Sequence, residues 1–144
     1  MDERDIMRGL ANFARILDAK DWDRLPEVFA DDLSFDYGAG GEQQGIDALR
    51  ANMTRFLDHC GGTQHLIGSV LVDFGVDGDE DSAISRAYVQ ARHQARDDSG
   101  GPVFDSNGEY IDRWERRSQG WRIVRRDAVW ATRSGDASVI AYTQ

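Results

Sequence analysis

The sequence has little of what marks secreted, membrane-spanning or nucleic-acid-binding chains. It contains one cysteine, Cys60. No intrachain disulfide can form, so the expected compartment is the reducing cytoplasm, with Cys60 a structural thiol. Two prolines leave no proline-rich linker. No apolar run approaches the ~20 residues of a membrane-crossing helix, and the opening "MDERDIMRGL" lacks the apolar centre of a signal peptide. Positive charge is in deficit: 17 Lys and Arg against 26 Asp and Glu give a net charge of −9, the wrong sign for a phosphate backbone. No nucleic-acid or membrane partner is expected. The basic stretch "RWERRSQGWRIVRR" alternates like a strand and includes Glu115, so it reads as the solvated face of a sheet. "GAGGEQQG" lacks the GK[ST] ending of a phosphate loop. No HxH, HxxxH or cysteine cluster suggests a metal site.

The 144 residues are one domain's length, and such a chain buries roughly two thirds of its unfolded surface. Residues 1–144 are therefore read as one domain, with no internal repeat. The first half is helical. Ile6, Leu10, Phe13, Ala14 and Leu17 recur at helical spacing within Asp5–Leu17. Asp21 is a candidate N-cap for a second helix carrying Trp22, Leu25, Val28 and Phe29, with Pro26 near its start. "LSFDYG" alternates, placing Leu33, Phe35 and Tyr37 on one strand face. Ile46, Leu49, Met53, Phe56 and Leu57 make a further helical stripe, and His59 falls at that helix's end.

The second half reads as strands. "GTQHLIGSVLVDFG" and "DSAISRAYVQARHQ" are joined by the turn-rich "VDGDED". "GEYIDRWERR" and "GWRIVRRDAVWATR" form a second hairpin around "SQG". The tail after Gly135, residues 135–144, is either a strand extension or a flexible end. Helices followed by long antiparallel strands define an α+β fold, with helices packed on one face of a curved sheet that encloses a cavity. In the fourth strand Ala83, Ser85, Ala87, Val89, Ala91 and His93 share one face. That face is small and apolar, so it reads as a cavity wall, with Val89 available to touch a ligand. Trp22, Trp114, Trp121 and Trp130 read as core or interface aromatics.

"LDAKDWDRLPEVFADDLSFDYG", "TQHLIG" and "ARHQ" together resemble scytalone dehydratase and its relatives, over about Ile6 to Arg133. These share a cone-shaped fold with ketosteroid isomerase, the SnoaL-type polyketide cyclases and nuclear transport factor 2. The resemblance implies a strongly curved, mostly antiparallel sheet around a pocket, no cofactor, and a homo-oligomer (dimer or trimer). Carried over by position, it makes His65 the acid/base, His93 a second pocket histidine, Asp18 the carboxylate partner of His93, and Tyr37 a tyrosine that holds water against a substrate carbonyl. Three positions depart from the family pattern. Leu17 replaces a second water-holding tyrosine, and Tyr110 and Gly108 align with an asparagine and a serine. Leu17 and Tyr110 would then contact substrate differently, with Tyr110 able to supply the missing hydroxyl.

The chemistry implied is cofactor-independent loss of water, or isomerisation, in a small cyclic or aromatic hydroxy-ketone. Histidine suits both proton steps because its ordinary pKa is near 6.5. Alternatives stand beside each assignment. His65 also reads as a core histidine bonded to a backbone carbonyl, His93 as a strand-end residue near solvent because "QARDDSGG" follows, Asp18 as a cap of the "DWD" turn, and Tyr37 as packing. The whole domain also reads as a SnoaL-like cyclase or a non-catalytic ligand-binding module, since fold does not fix function.

Overall fold

The computed structural model describes residues 1–96 and 100–141. Its elements are α1 (Asp2–Ala19), a 3₁₀ segment (Trp22–Glu27), β1 (Phe29–Asp36), β2 (Glu42–Gln44), α2 (Ile46–Leu57), β3 (Thr63–Phe74), β4 (Ser82–Gln94), β5 (Val103–Arg117), β6 (Gly120–Gly135) and a last 3₁₀ turn (Ala137–Val139). One six-stranded sheet runs in the order β2-β1-β6-β5-β4-β3. All its pairings are antiparallel except β1 with β6. The architecture is the expected α+β cone, with both α-helices in the first half of the chain, β1 and β2 between them, and the long strands of the mostly antiparallel curved sheet after α2.

α1 forms because its apolar residues repeat at helical spacing and its first turn carries Asp2, Glu3 and Asp5, which complement the positive end of the helix dipole. Ile6, Leu10, Phe13, Ile16 and Leu17 are buried on its inner side. The helix stops at Lys20, whose left-handed φ of 54° turns its amide back to the carbonyls of Ile16 and Leu17. Gly9 is required where α1 crosses the sheet: a Cβ there would lie 2.9 Å from Cη2 of the fully buried Trp114. The second expected helix is shorter than its pattern suggested. Only one 3₁₀ segment forms around Pro26, and Phe29 already belongs to β1. β2 lies in "GEQQG", where alternation is too brief to read.

The inward parity of β4 holds along its length. Ala83, Ser85, Ala87, Val89, Ala91 and His93 are buried, while Arg86, Tyr88, Gln90 and Arg92 are exposed. Residues 97–99, between β4 and β5, lie outside the described residues. Curvature comes with bulges, at Gly68/Leu71 in β3 and at two places along the β5–β6 pair. In β6 the pairings Trp114↔Ile123 and Arg113↔Arg125 leave Val124 over, and Gly108↔Trp130 and Asn107↔Thr132 leave Ala131 over. Each extra residue flips which side chains face inward. The inner set runs Trp121 and Ile123, then Arg126, Ala128 and Trp130, then Arg133.

β6 runs to Gly135, and the chain continues beyond it. The tail folds into the last 3₁₀ turn, with Val139 buried and Asp136 accepting from the Ser138 amide. Residues 142–144 lie outside the described residues. Among the described residues, no helix is long and apolar enough to cross a membrane.

Candidate active site

A cavity of about 280 Å³ lies between the helices and the concave face of the sheet. This is near the lower end for small-molecule sites. Its walls are apolar where Leu17, Met53, Phe56, Leu57, Ala91 and Phe104 contribute. Polar groups enter from separate elements: Asn52 from α2, Tyr37 just after β1, His65 from β3, His93 from β4, Ser106 and Tyr110 from β5, and Arg133 from β6.

The catalytic candidates converge, but one pairing differs from expectation. Asp18, in the last turn of α1, binds His65 and not His93. Its Oδ1 lies 2.7 Å from His65 Nδ1, and its Oδ2 accepts the His65 amide at 3.1 Å. The Thr63 hydroxyl also donates to Oδ1, at 2.9 Å. Thr63 and His65 project from the same side of edge strand β3, directly over the end of α1, whereas His93 stands one strand further in. Asp18 is thus neither a turn cap nor the partner of His93. Burial works to raise its pKa, but the bonds from His65 and Thr63 outweigh that and hold it below the ordinary carboxylate value. An ionised carboxylate only accepts, so Nδ1 carries the proton and Nε2 is the free, basic nitrogen of His65.

His93 is 3% exposed, which excludes the strand-end reading. Its ring stands edge-on to that of His65, with centroids 5.6 Å apart and planes at 90°. Its Nδ1 donates to the Phe104 carbonyl at 2.9 Å, leaving Nε2 as an acceptor. Burial pushes its pKa down, and the nearby His65 adds to the effect. His93 therefore stays neutral at neutral pH.

At the other end of the cavity Tyr37 rests on a buried ion pair. Asp112 and Arg126 are direct cross-strand partners, both fully buried, joined by two parallel bonds of 2.7 and 2.8 Å. The Arg126 guanidinium stacks 4.0 Å from the Tyr110 ring centroid and 4.2 Å from that of Phe13. Its Nη1 donates to the Tyr37 hydroxyl oxygen at 3.2 Å. Burial opposes charge on Arg126, yet Asp112 and the two phenols more than offset this and raise its pKa. Burial also pushes Asp112 up, against the pull of Arg126, and the fork geometry is that of a carboxylate facing a guanidinium. Breaking such a pair costs about 3–5 kcal/mol. Because Tyr37 oxygen accepts from Arg126, its own proton is free for the cavity. Burial holds both Tyr37 and Tyr110 protonated at neutral pH.

Of the expected contact residues, Leu17 and Tyr110 line the cavity. Val89 faces inward but is packed within the core, 1% exposed and away from the cavity lining, so it is a wall residue one layer back. Trp130, expected as core or interface, lines the cavity and donates to the Tyr37 carbonyl at 2.9 Å. Arg126, expected on a solvated face, lies in the core. Sequence reading missed Asn52 and Ser106. Asn52 occupies an apolar-stripe position in α2, a visible signal, while Ser106 fell before the expected start of β5.

A curved sheet packed with helices around a largely apolar chamber, with an Asp–His pair at its wall, places the molecule among the cone-shaped α+β proteins. The chain belongs to the SnoaL-like domain family, which it matches over residues 1–127. It is 30% identical over 125 residues to the Mycobacterium tuberculosis protein Rv2910c, covering 87% of this chain and 82% of that one. Three solved structures share the fold. A candidate scytalone dehydratase from Novosphingobium aromaticivorans superposes with TM-score 0.80 at 23% identity, covering 92% and 85% of the two chains. A nuclear transport factor 2-like protein from Salmonella enterica gives 0.78 at 16%, covering 90% of each. A hexachlorocyclohexane dehydrochlorinase, LinA type 2, gives 0.75 at 15%, covering 99% and 91%.

Proposed function

We propose that this protein is a cofactor-independent lyase of the dehydratase type, acting on a small cyclic or aromatic hydroxy-ketone. The observation that carries the reading is the Asp18–His65 pair at 2.7 Å on the wall of an otherwise apolar cavity. The names of two fold neighbours, a candidate dehydratase and a dehydrochlorinase, are both names of eliminations, which supports it.

The reaction needs a base for the proton beside the carbonyl, an acid for the departing hydroxyl and a donor for the developing enolate oxygen. Nε2 of His65 removes the proton, and Asp18 stabilises the imidazolium and fixes the ring. The Tyr37 hydroxyl, held from behind by Arg126, donates to the carbonyl oxygen as charge builds there. The Tyr110 hydroxyl, with no hydrogen-bond partner among the described residues, joins it and takes the place of the donor missing at Leu17. His93 Nε2 accepts from the substrate hydroxyl and orients it toward His65. The imidazolium then returns its proton to that oxygen. One C–H and one C–O bond break, a C=C bond forms and water leaves, with no change in redox state. An isomerase reading uses the same base and donors and differs only in returning the proton to carbon.

The test is turnover of hydroxylated tetralone-like and steroid-like ketones, followed by appearance of the conjugated product. His65→Ala is expected to lower the rate at least ~10²-fold while leaving the circular-dichroism spectrum unchanged. Wild-type turnover in that variant rejects the proposal.

A further inference from the structure

Arg133 is the one charged side chain among the described residues that lines the cavity without forming any hydrogen bond or ion pair with another described residue. Its neighbours along the basic stretch are all engaged. Arg125 pairs with Asp127, Arg126 with Asp112, Arg116 with Asp81, and Arg117 with Asp32. Arg133 lines the cavity from an exposed position at its mouth and is left unmatched among the described residues.

Its position follows from the backbone. Without the extra residue Ala131, the alternation that places Ala128 and Trp130 inside would put Thr132 inside and Arg133 on the outer, solvated face. The bulge reverses this. Thr132 turns outward, where its hydroxyl accepts from Asn107 Nδ2 at 3.0 Å, and Arg133 turns inward opposite the buried Ser106. Gly108 makes the bulge possible, because a Cβ there would fall 2.2 Å from the Val129 carbonyl oxygen. Bulges recur beside functional sites because they re-aim single side chains.

An unpaired guanidinium at the solvent-exposed edge of an apolar chamber, on a chain of net charge −9, is free to receive an anion. The chain's overall field repels anionic solutes, and this one inward cation offsets that locally. The fork of donors matches a planar carboxylate, which it holds through two bonds. We infer that Arg133 is a specificity-determining residue at the cavity mouth, and that the ligand is a cyclic or aromatic carboxylate whose acid group sits on Arg133 while its ring fills the chamber toward His65. This rests on the site described under the proposed function and narrows its substrate to acid-bearing compounds.

Binding of 1-naphthoate and of its uncharged analogue 1-naphthamide tests it, read by quenching of tryptophan fluorescence, since Trp130 lines the same chamber. The acid is expected to bind roughly tenfold more tightly than the amide, the scale of a charge-assisted hydrogen bond at a partly exposed site. Arg133→Gln should abolish that preference and leave amide affinity unchanged. Arg133→Lys should keep part of it, having the charge without the fork. Equal affinities in the wild type, no binding of the acid, or an equal loss of both ligands in Arg133→Gln would each overturn the inference. Turnover plays no part in these readouts. A His65→Ala variant with full activity would reject the dehydratase reading and leave the acid preference standing.

Discussion

Asp18 takes bonds from the Thr63 hydroxyl, the His65 amide and the His65 ring. The two neutral donors hold the carboxylate in place, and the third sets which imidazole nitrogen is basic. Asp18→Asn preserves the shape and one acceptor oxygen but removes the charge that favours the imidazolium. We expect kcat to fall ~10²-fold or more, while the urea midpoint shifts by the equivalent of only about 1–2 kcal/mol. Parallel kinetics and denaturation measure both, and unchanged kcat would return Asp18 to a structural role. This residue also marks where sequence reading stopped short. His65, His93 and Tyr37 line one chamber, and Asp18 stands behind His65. Their pairing depended on which strand lies over the end of α1, and residue order alone does not reveal that.

At the scale of elements, legibility follows periodicity. The stripes of α1 and α2, the Leu33–Tyr37 face at the end of β1 and the parity of β4 were readable because each keeps one period over the residues concerned. β6 does not. Val124 and Ala131 break its alternation twice, and each break delivers an arginine to the inside. A strict two-residue repeat set by Trp121 and Ile123 therefore puts Arg126 on the solvated face. The aspartate at position 112, between the inward Tyr110 and Trp114, was the available hint that a cation had to lie opposite. The second bulge depends on Gly108. Gly108→Ala forces its methyl against the Val129 carbonyl, and overpacking of this kind costs about 1–3 kcal/mol. A thermal or urea melt should show that loss together with weakened ligand binding, because Arg133 loses its aim. A fully stable variant with normal binding would mean the bulge does not need glycine.

For the molecule as a whole, the titrating groups of the cavity tie stability to pH. The folded state holds His93 below the ordinary histidine value, so the unfolded chain takes up a proton first as pH falls. The stabilisation from its neutral form is complete above about 6.5 and declines as pH drops from there through the lower folded value. Asp18, also depressed, adds stability above the ordinary carboxylate range that is lost only in stronger acid. Urea midpoints measured from pH 8 to 4 should therefore fall below about pH 6.5. The slope between pH 6.5 and 5 should flatten in His93→Gln, which keeps a donor for the Phe104 carbonyl but cannot titrate. Identical slopes in the two proteins would contradict the assignment.

The bond between Arg126 and Tyr37 joins positions 89 apart in the chain, and the parallel pairing of β1 with β6 closes the same span. Contacts this distant in sequence form late, after the loop between them has been ordered. During synthesis the N-terminal helices and β1 emerge long before the strand that completes them. A nascent chain halted before β6 has both histidines and Asp18 already made, yet no floor beneath them. The chamber is therefore completed only once β6 has been made.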